Sequence, residues 1–300
     1  MSTDFSKAKA ITITYLTPVS FASLNGSDKE ADNISSIKKL TRETDNGVKE
    51  FPYVSSQAIR RALRDQLATL GHTLSEGVAA KESKGAATTQ CNPTDYLDDD
   101  LFGYMDADKS GTRKRTSSVR VSPLVAQDAY QGDLDFGTNY MSVKAGGNPI
   151  IFETEIDGGL YRGTILVELD RIGSGVGVEG DIDYREKSER VEALLDALQN
   201  LWSSGRQSRF LADLSPKFVA AAITTVKAPI FLESVQVQGR TLSGTTLNEV
   251  LADHKNVVLG SVFGSRTGLF ESTPDNTKTV GDAFSAIKDW VRSCYGQNGA

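Results

Sequence analysis

The stretch Pro52 to Leu70 (PYVSSQAIRRALRDQLATL) leaves few options other than an amphipathic helix with a marked start. The Ser55 hydroxyl is placed to accept from a free amide of the first turn, and Val54 ahead of it can clasp Ile59 as a hydrophobic staple. Ile59, Ala62, Leu63, Leu67 and Leu70 recur at helical spacing and predict an inward stripe, while Arg60, Arg61 and Arg64 leave on other faces. Arg60 and Arg64 lie one turn apart, near an end whose unpaired amides favour anions. The spacing therefore predicts two guanidinium forks side by side, suited to a phosphate. Arginines on an outward helix face are more commonly just solvated or paired with a neighbour such as Asp65, so the helix alone does not assign a function.

Charge narrows the classes of partner. The chain of 300 residues carries a net charge of −6, with 39% hydrophobic and 24% charged residues. Such a chain buries an ordinary core but does not coat nucleic acid through bulk positive charge, so any such contact has to come from local basic patches. Cys91 and Cys294 match no metal or redox spacing, and His72 and His254 lack neighbouring ligands or nucleophiles. No cofactor or metal is expected. The N-terminal residues MSTDFSKAKA carry no signal-peptide core, and no run is apolar enough to span a bilayer. A cytoplasmic protein without a membrane partner is the expectation.

Along the chain, Ala10 to Thr17 alternates as a strand with one buried face, and Pro18 to Phe51 reads as a long polar loop. Gly71 to Asn92 reads as a surface insertion, and Tyr96, Leu97, Leu101 and Phe102 as a short helical face. Lys109, Arg113, Lys114, Arg115 and Arg120 form the densest basic run, with no acid between its ends. That run reads as a solvated loop or a phosphate-contact region, and the lack of interspersed acids favours the second. Ser118 to Ala126 reads as a strand. Tyr130 to Asn148, too poor in apolar groups for a core element, reads as a protruding arm bearing Phe136, Tyr140 and Met141. Ile150 to Ile156 and Leu160 to Asp170 read as a hairpin about Asp157-Gly158-Gly159. A second major helix spans Arg185 to Trp202, with Arg206 and Arg209 just beyond. Strands follow over Phe218 to Val226, Pro229 to Val237 and Val257 to Phe263, and a helix over Asp282 to about Cys294. This order is compatible with one α+β domain over 1–300, a ferredoxin-like βαββαβ core carrying large loop insertions, among them a helical and basic one at 71–117.

The pieces SLNG (Ser23 to Gly26), PYVSSQAIRRALRD (Pro52 to Asp65), SVRVSPL (Ser118 to Leu124), IFETEIDGGLYRG (Ile151 to Gly163) and SSGRQSRFLADLSP (Ser203 to Pro216) occur in consistent order over roughly residues 9–240. Together the set resembles the DevR-type backbone subunit, the "Cas seven" family, of type I CRISPR Cascade surveillance complexes, most similar to the type I-B branch. The resemblance implies an RRM-like core with a thumb-like β-hairpin arm at 130–157, and a non-catalytic, oligomeric filament of copies along a CRISPR guide RNA. Base pairing with a target DNA strand then supplies the sequence recognition. It also implies the other Cascade subunits as partners: a capping small subunit, a large subunit and a guide-processing subunit.

On that reading the expected RNA-binding residues are Asn25, Lys38, Tyr53, Ser55, Ser56, Gln57, Arg60, Arg61, Arg64, Lys114, Arg115, Arg120, Arg206 and Arg209. Phe136, Tyr140 and Met141 are the expected base wedge. Two rival readings remain open. One is a magnesium-dependent endoribonuclease of a related type III-like complex, using Asp28, Asp32 or Asp45. The other is a single-copy RRM-like RNA binder.

Overall fold

The structure, a computed structural model, describes residues 4–26, 34–79, 87–108, 111–180, 182–202 and 209–298. Its centre is strand β1 (Ala10–Ala22). Ile11, Ile13 and Tyr15 point to one side and Thr12, Thr14 and Leu16 to the other, and all of them are buried. The expected single buried face is thus corrected: this strand is covered on both. The expected loop Pro18 to Phe51 is also corrected in part. It contains β2 (Lys39–Thr44) and β3 (Gly47–Val54), an antiparallel pair turned at Asn46-Gly47. Gly47 sits there at φ 88°, where a side chain would strain the backbone.

Helix α1 (Ser56–Thr69) starts where its cap predicts, with the Ser55 hydroxyl accepting from the Ala58 amide, and it buries Ile59, Ala62, Leu63 and Leu67. Leu70 remains 42% exposed, because the helix ends there and its stripe runs off the core. After α2 (Leu97–Phe102), β4 (Tyr104–Asp108) pairs antiparallel with β5 (Gly111–Arg115), which carries Arg113, Lys114 and Arg115 of the basic run, while Lys109 lies outside the described residues. The expected strand 118–126 is two pieces, β6 (Val119–Val121) and β7 (Leu124–Ala126), broken at Ser122-Pro123.

The expected hairpin about Gly158-Gly159 does not form. β9 (Ile150–Glu155) pairs instead with the preceding β8 (Leu134–Asn139), across a short helix α3 (Met141–Lys144). β10 (Asp157–Glu168) belongs to the main sheet, antiparallel to β1 with Ile13 opposite Ile165. The two runs diverge at Ile156, whose amide donates to the Asp133 carbonyl at the root of the arm. Both read as strands, but nothing in their alternation states which partner each will take.

Helix α4 (Tyr184–Gln199) leads to β11 (Phe218–Thr224), which lies antiparallel on the other side of β1. Pro229 to Val237 is not a strand. It makes turns, with Phe231 and Val235 buried, and only Val237–Gln238 pairs, with Thr241–Leu242. α5 (Gly244–Asp253), β12 (Val258–Ser265) and α6 (Val280–Asn298) complete the chain.

The main sheet runs β12-β11-β1-β10-β7-β3-β2, with β6 also on β10, and its pairings are antiparallel. On one face α1, α4 and α6 cover a core that includes Ile11, Ile13, Tyr15, Ile165 and Val167. On the other, Leu16, Phe218, Ala220 and Ala222 pack with Phe231, Val235, Leu242, Leu247 and Phe263 from the C-terminal third. The molecule is therefore mixed α+β with mostly antiparallel sheets. Among the described residues no helix is long and apolar enough to cross a membrane.

Candidate nucleic-acid interface

The first turn of α1 contains no acidic residue, so its amides face no like-signed repulsion of an anion. Several sequence-distant groups converge on this end. The Ser55 amide donates to Asn25 Oδ1 at 2.8 Å, the Lys38 amide to the Asn25 carbonyl at 2.9 Å, and the Tyr53 amide to the Lys38 carbonyl at 2.9 Å. Asn25, Lys38 and Tyr53 then line one shallow crevice with Asp157 and Tyr161. The Tyr161 hydroxyl donates to Asp157 Oδ2 at 2.5 Å, and burial pushes the Asp157 carboxyl up from its ordinary value. Ser56 and Gln57 stand in the first turn of α1, Gln57 exposed.

The arm is rooted beside this crevice. Lys39 Nζ pairs with Glu155 Oε1 at 2.8 Å and lies 4.5 Å from the Tyr130 ring centroid, and Glu155 Oε2 accepts from the Ile37 amide at 2.9 Å. Arg209 holds the other side of the arm. It pairs with Asp135, donates to Thr154 Oγ1 at 3.0 Å, and its guanidinium lies 4.6 Å from the Phe152 ring and 5.2 Å from Phe210. Opposite Phe152 stands Gly137, where an added Cβ would come within 2.3 Å of that ring. Beyond these anchors the arm presents Phe136, Tyr140 and Met141 at 61%, 66% and 68% exposure. Apolar groups this open on a short projecting element are available to insert elsewhere.

The arginines are distributed otherwise than their spacing predicts. Arg60 does not lie open beside Arg64. Its guanidinium turns inward, donating to the Phe102 carbonyl, Ser117 Oγ and the Val119 carbonyl at 3.3, 3.0 and 3.1 Å. Desolvation by burial, with Arg64 and Arg120 nearby, lowers its pKa. Arg64 pairs with the buried Asp98 at 3.3 Å and stacks on Phe102 at 4.7 Å. Arg115 is buried, tied to Asp100 and to the Arg171, Ser174 and Val176 carbonyls, so it offers nothing to a ligand. These three corrections share a cause. Acceptors on α2 and the loops around it reach the arginines first, and no spacing within Ser56 to Arg64 records where those acceptors fall.

Arg61, Lys114 and Arg120 are exposed. Arg61 is largely exposed, with only its surface pairing to Asp65 at 2.8 Å, and Lys114 is exposed on the β4–β5 hairpin. Arg120 is 57% exposed. Arg206 lies outside the described residues, as do Asp28 and Asp32, while Asp45 is exposed in the turn between β2 and β3. Among the described residues no cluster of His, Cys, Asp or Glu is arranged to hold a metal ion. Sequence reasoning missed Lys39, Glu155, Asp157 and Tyr161, which tie the arm to the helix start. Lys39 stands in no motif, while Glu155, Asp157 and Tyr161 all lie within the IFETEIDGGLYRG run, which was the available signal.

Arg60→Ala is expected to lower the unfolding free energy by about 1–3 kcal/mol, because it removes three hydrogen bonds and takes the guanidinium donor from the Phe102 carbonyl. It should leave the salt dependence of any RNA binding unchanged. Urea unfolding alongside a salt titration checks both, and a flattened salt slope would return Arg60 to the interface.

Residues 13–241 match the family described as CRISPR-associated negative auto-regulator DevR/Csa2. The chain belongs to the DevR/Csa2 family. A curated relative, the CRISPR-associated protein Cas7/Cst2/DevR of Myxococcus xanthus (strain DK1622), is 28% identical over 245 residues, covering 75% of this chain and 76% of its own. The fold is also found in a solved CRISPR RNA-guided surveillance complex, pre-nicking, at TM-score 0.63 and 14% identity, covering 94% of this chain and 100% of the matched one. A second CRISPR RNA-guided surveillance complex matches at TM-score 0.58 and 16% identity, covering 93% and 98%. The family match spans the whole of the interface from β1 through the arm to Arg209.

Proposed function

We propose that this DevR/Csa2 member is a non-catalytic backbone subunit of a CRISPR surveillance complex. Further copies of the chain assemble along a guide RNA, bind its backbone without reading its sequence, and present it for pairing with a target DNA strand. The observation that carries this reading is that an apolar-tipped arm is rooted, through Glu155 and Ile37, beside the crevice lined by Asn25, Lys38 and Tyr53, where Asn25 holds the Ser55 amide at the start of α1. A helix start and a few polar groups contact phosphate whatever the base, and a projecting aromatic and Met tip wedges against an unstacked base whatever its identity. Together they make a sequence-neutral holder for a single strand.

Four sheet strands support the RRM-like form of the core. In space they run β11-β1-β10-β6, joined through α1 and α4, which is the order and antiparallel sense of a βαββαβ unit. The proposed contact set beside α1 keeps Asn25, Lys38, Tyr53, Ser56, Gln57, Arg61 and Lys114, while Arg120 stands apart from that crevice on β6. Ser55 serves as the cap, and Arg60, Arg64, Arg115 and Arg209 as internal ties. The other subunits of such a complex are its expected partners, within the cytoplasm.

The test is to express the chain with its operon partners, extract the nucleic acid from the purified assembly and sequence it. Short RNAs of varied spacers flanked by constant repeat-derived ends, on elongated particles, are expected. An RNA-free monomer in the presence of guide and at low salt would refute the reading.

A further inference from the structure

The sheet face away from α1, α4 and α6 is not wholly covered by the C-terminal third. Between β6, the end of β10 and the turn after β11 a groove of about 420 Å³ stays open. Its walls include Leu166, Pro229 and Leu232, and its rim carries Arg120 and Lys227. That volume lies within the ~300–1,000 Å³ of ordinary small-ligand sites.

The rim is a built charge array. Glu168, with its side chain 2% exposed, accepts from Arg120 Nε at 2.5 Å, Lys227 Nζ at 3.0 Å and Arg171 Nη1 at 3.3 Å, and Lys227 also pairs with Asp170 at 2.8 Å. Burial pushes the Glu168 carboxyl up, but the three cationic donors outweigh it and hold it below its ordinary value. It therefore remains an anion at neutral pH and fixes the cations in place. Three cations against two carboxylates leave one positive charge in excess. Arg120 gives only Nε to Glu168, and its two terminal nitrogens have no protein partner among the described residues. Across the ladder from Leu166, on the same face of the sheet, the buried Thr12 hydroxyl is also without a hydrogen-bond partner.

An apolar slot with an outward guanidinium fork at its mouth suits a ligand with one flat apolar end and one doubly acceptor anionic end. We propose that this groove is a subsite for one nucleotide of single-stranded RNA, with the base against Leu166, Pro229 and Leu232 and the phosphate on the fork of Arg120 and on Lys227. The subsite rests on the RNA-binding role above, but it is separate from the crevice at α1. An acidic side chain of a second copy would meet the same cations without using the apolar walls, which is why a nucleotide fits better.

The test uses the full chain with two variants. Leu232→Trp fills the slot, and Arg120→Lys keeps the charge toward Glu168 but removes the fork. Affinity for a labelled oligouridylate is read by anisotropy, and for uridine 5′-monophosphate by calorimetry, with thermal melting as the folding check. Each variant is expected to weaken oligouridylate binding about 5- to 10-fold, as loss of a stacked base or a charged contact does. Monophosphate binding that is lost in Leu232→Trp would support the same site with a free nucleotide as its source. Unchanged affinity in both folded variants overturns the groove and leaves the α1 interface standing, whereas absence of RNA binding by the unaltered chain overturns both. If Arg120→Lys changes only the self-association of RNA-free protein, the groove receives a second copy and the proposal fails.

Discussion

Asp100→Ala is expected to destabilise the fold by about 3–5 kcal/mol, the usual cost of removing one partner from a buried ion pair. Asp100 is fully buried in α2 and binds three separate parts of the chain. It pairs with Arg115 from β5, accepts from Arg190 of α4 at 3.0 Å, and accepts from the Gly173 amide at 2.8 Å. Arg190 in turn donates to the Pro93 carbonyl at 2.7 Å and to Glu186 at 2.6 Å. Without Asp100, two guanidiniums remain buried with a carboxylate removed from between them, and burial of unpaired charge is what costs most. Asp100→Asn preserves an acceptor for Gly173 but not the charge, and should cost nearly as much. Urea unfolding with unchanged slope is the measurement, and a loss under about 1 kcal/mol for both variants would show that the network is dispensable.

The second large effect is on function and not on stability. Replacing Phe136, Tyr140 and Met141 together by serine should leave the melting curve close to that of the unaltered chain, because exposed side chains contribute little to folding. Guide-directed binding of a target strand should fall about 10- to 100-fold, the equivalent of one or two lost base contacts at ~1–3 kcal/mol each. Affinity of the assembled complex for a complementary strand measures this. Unaltered affinity would remove these residues from the wedge and leave the arm a structural role only.

The two variants separate the basic surface into two kinds of group. Arg115 and Arg190 hold the region 92–117 onto α4 and the loop after β10, while Arg209 holds the arm. The groups left for the proposed ligand pair a few open cations with uncharged donors near a helix start, so the proposed role is compatible with a net charge of −6. Sequence-neutral contact requires a few fixed donors, not a high total charge.

The start of α1 was legible because its signals are local: a serine cap, a staple and an apolar stripe all act within a few residues of one another. The exposure of Phe136, Tyr140 and Met141 was legible for the opposite reason, since they stand in a stretch with too little to bury. The pairing of β9 was not, since alternation reports a strand but not its neighbour, and β9 takes β8 while β10 takes β1. The second face of β1 was missed because its threonines read as polar, while its Leu16 packs with residues some two hundred positions later, among them Phe231 and Leu242. Thr14 and Thr164 satisfy each other by a hydroxyl–hydroxyl contact of 2.8 Å, which makes that burial affordable.

What Ser55 to Arg64 determined alone was a helix and which side chains face away from its core. Whether an outward arginine meets solvent, a phosphate or a carbonyl was decided only when α2 and the segment 115–119 were laid beside it. The reason is range: capping and periodicity act over one or two turns of backbone, whereas the partner of a long cationic side chain is whatever acceptor the tertiary fold brings within about 3 Å of its end.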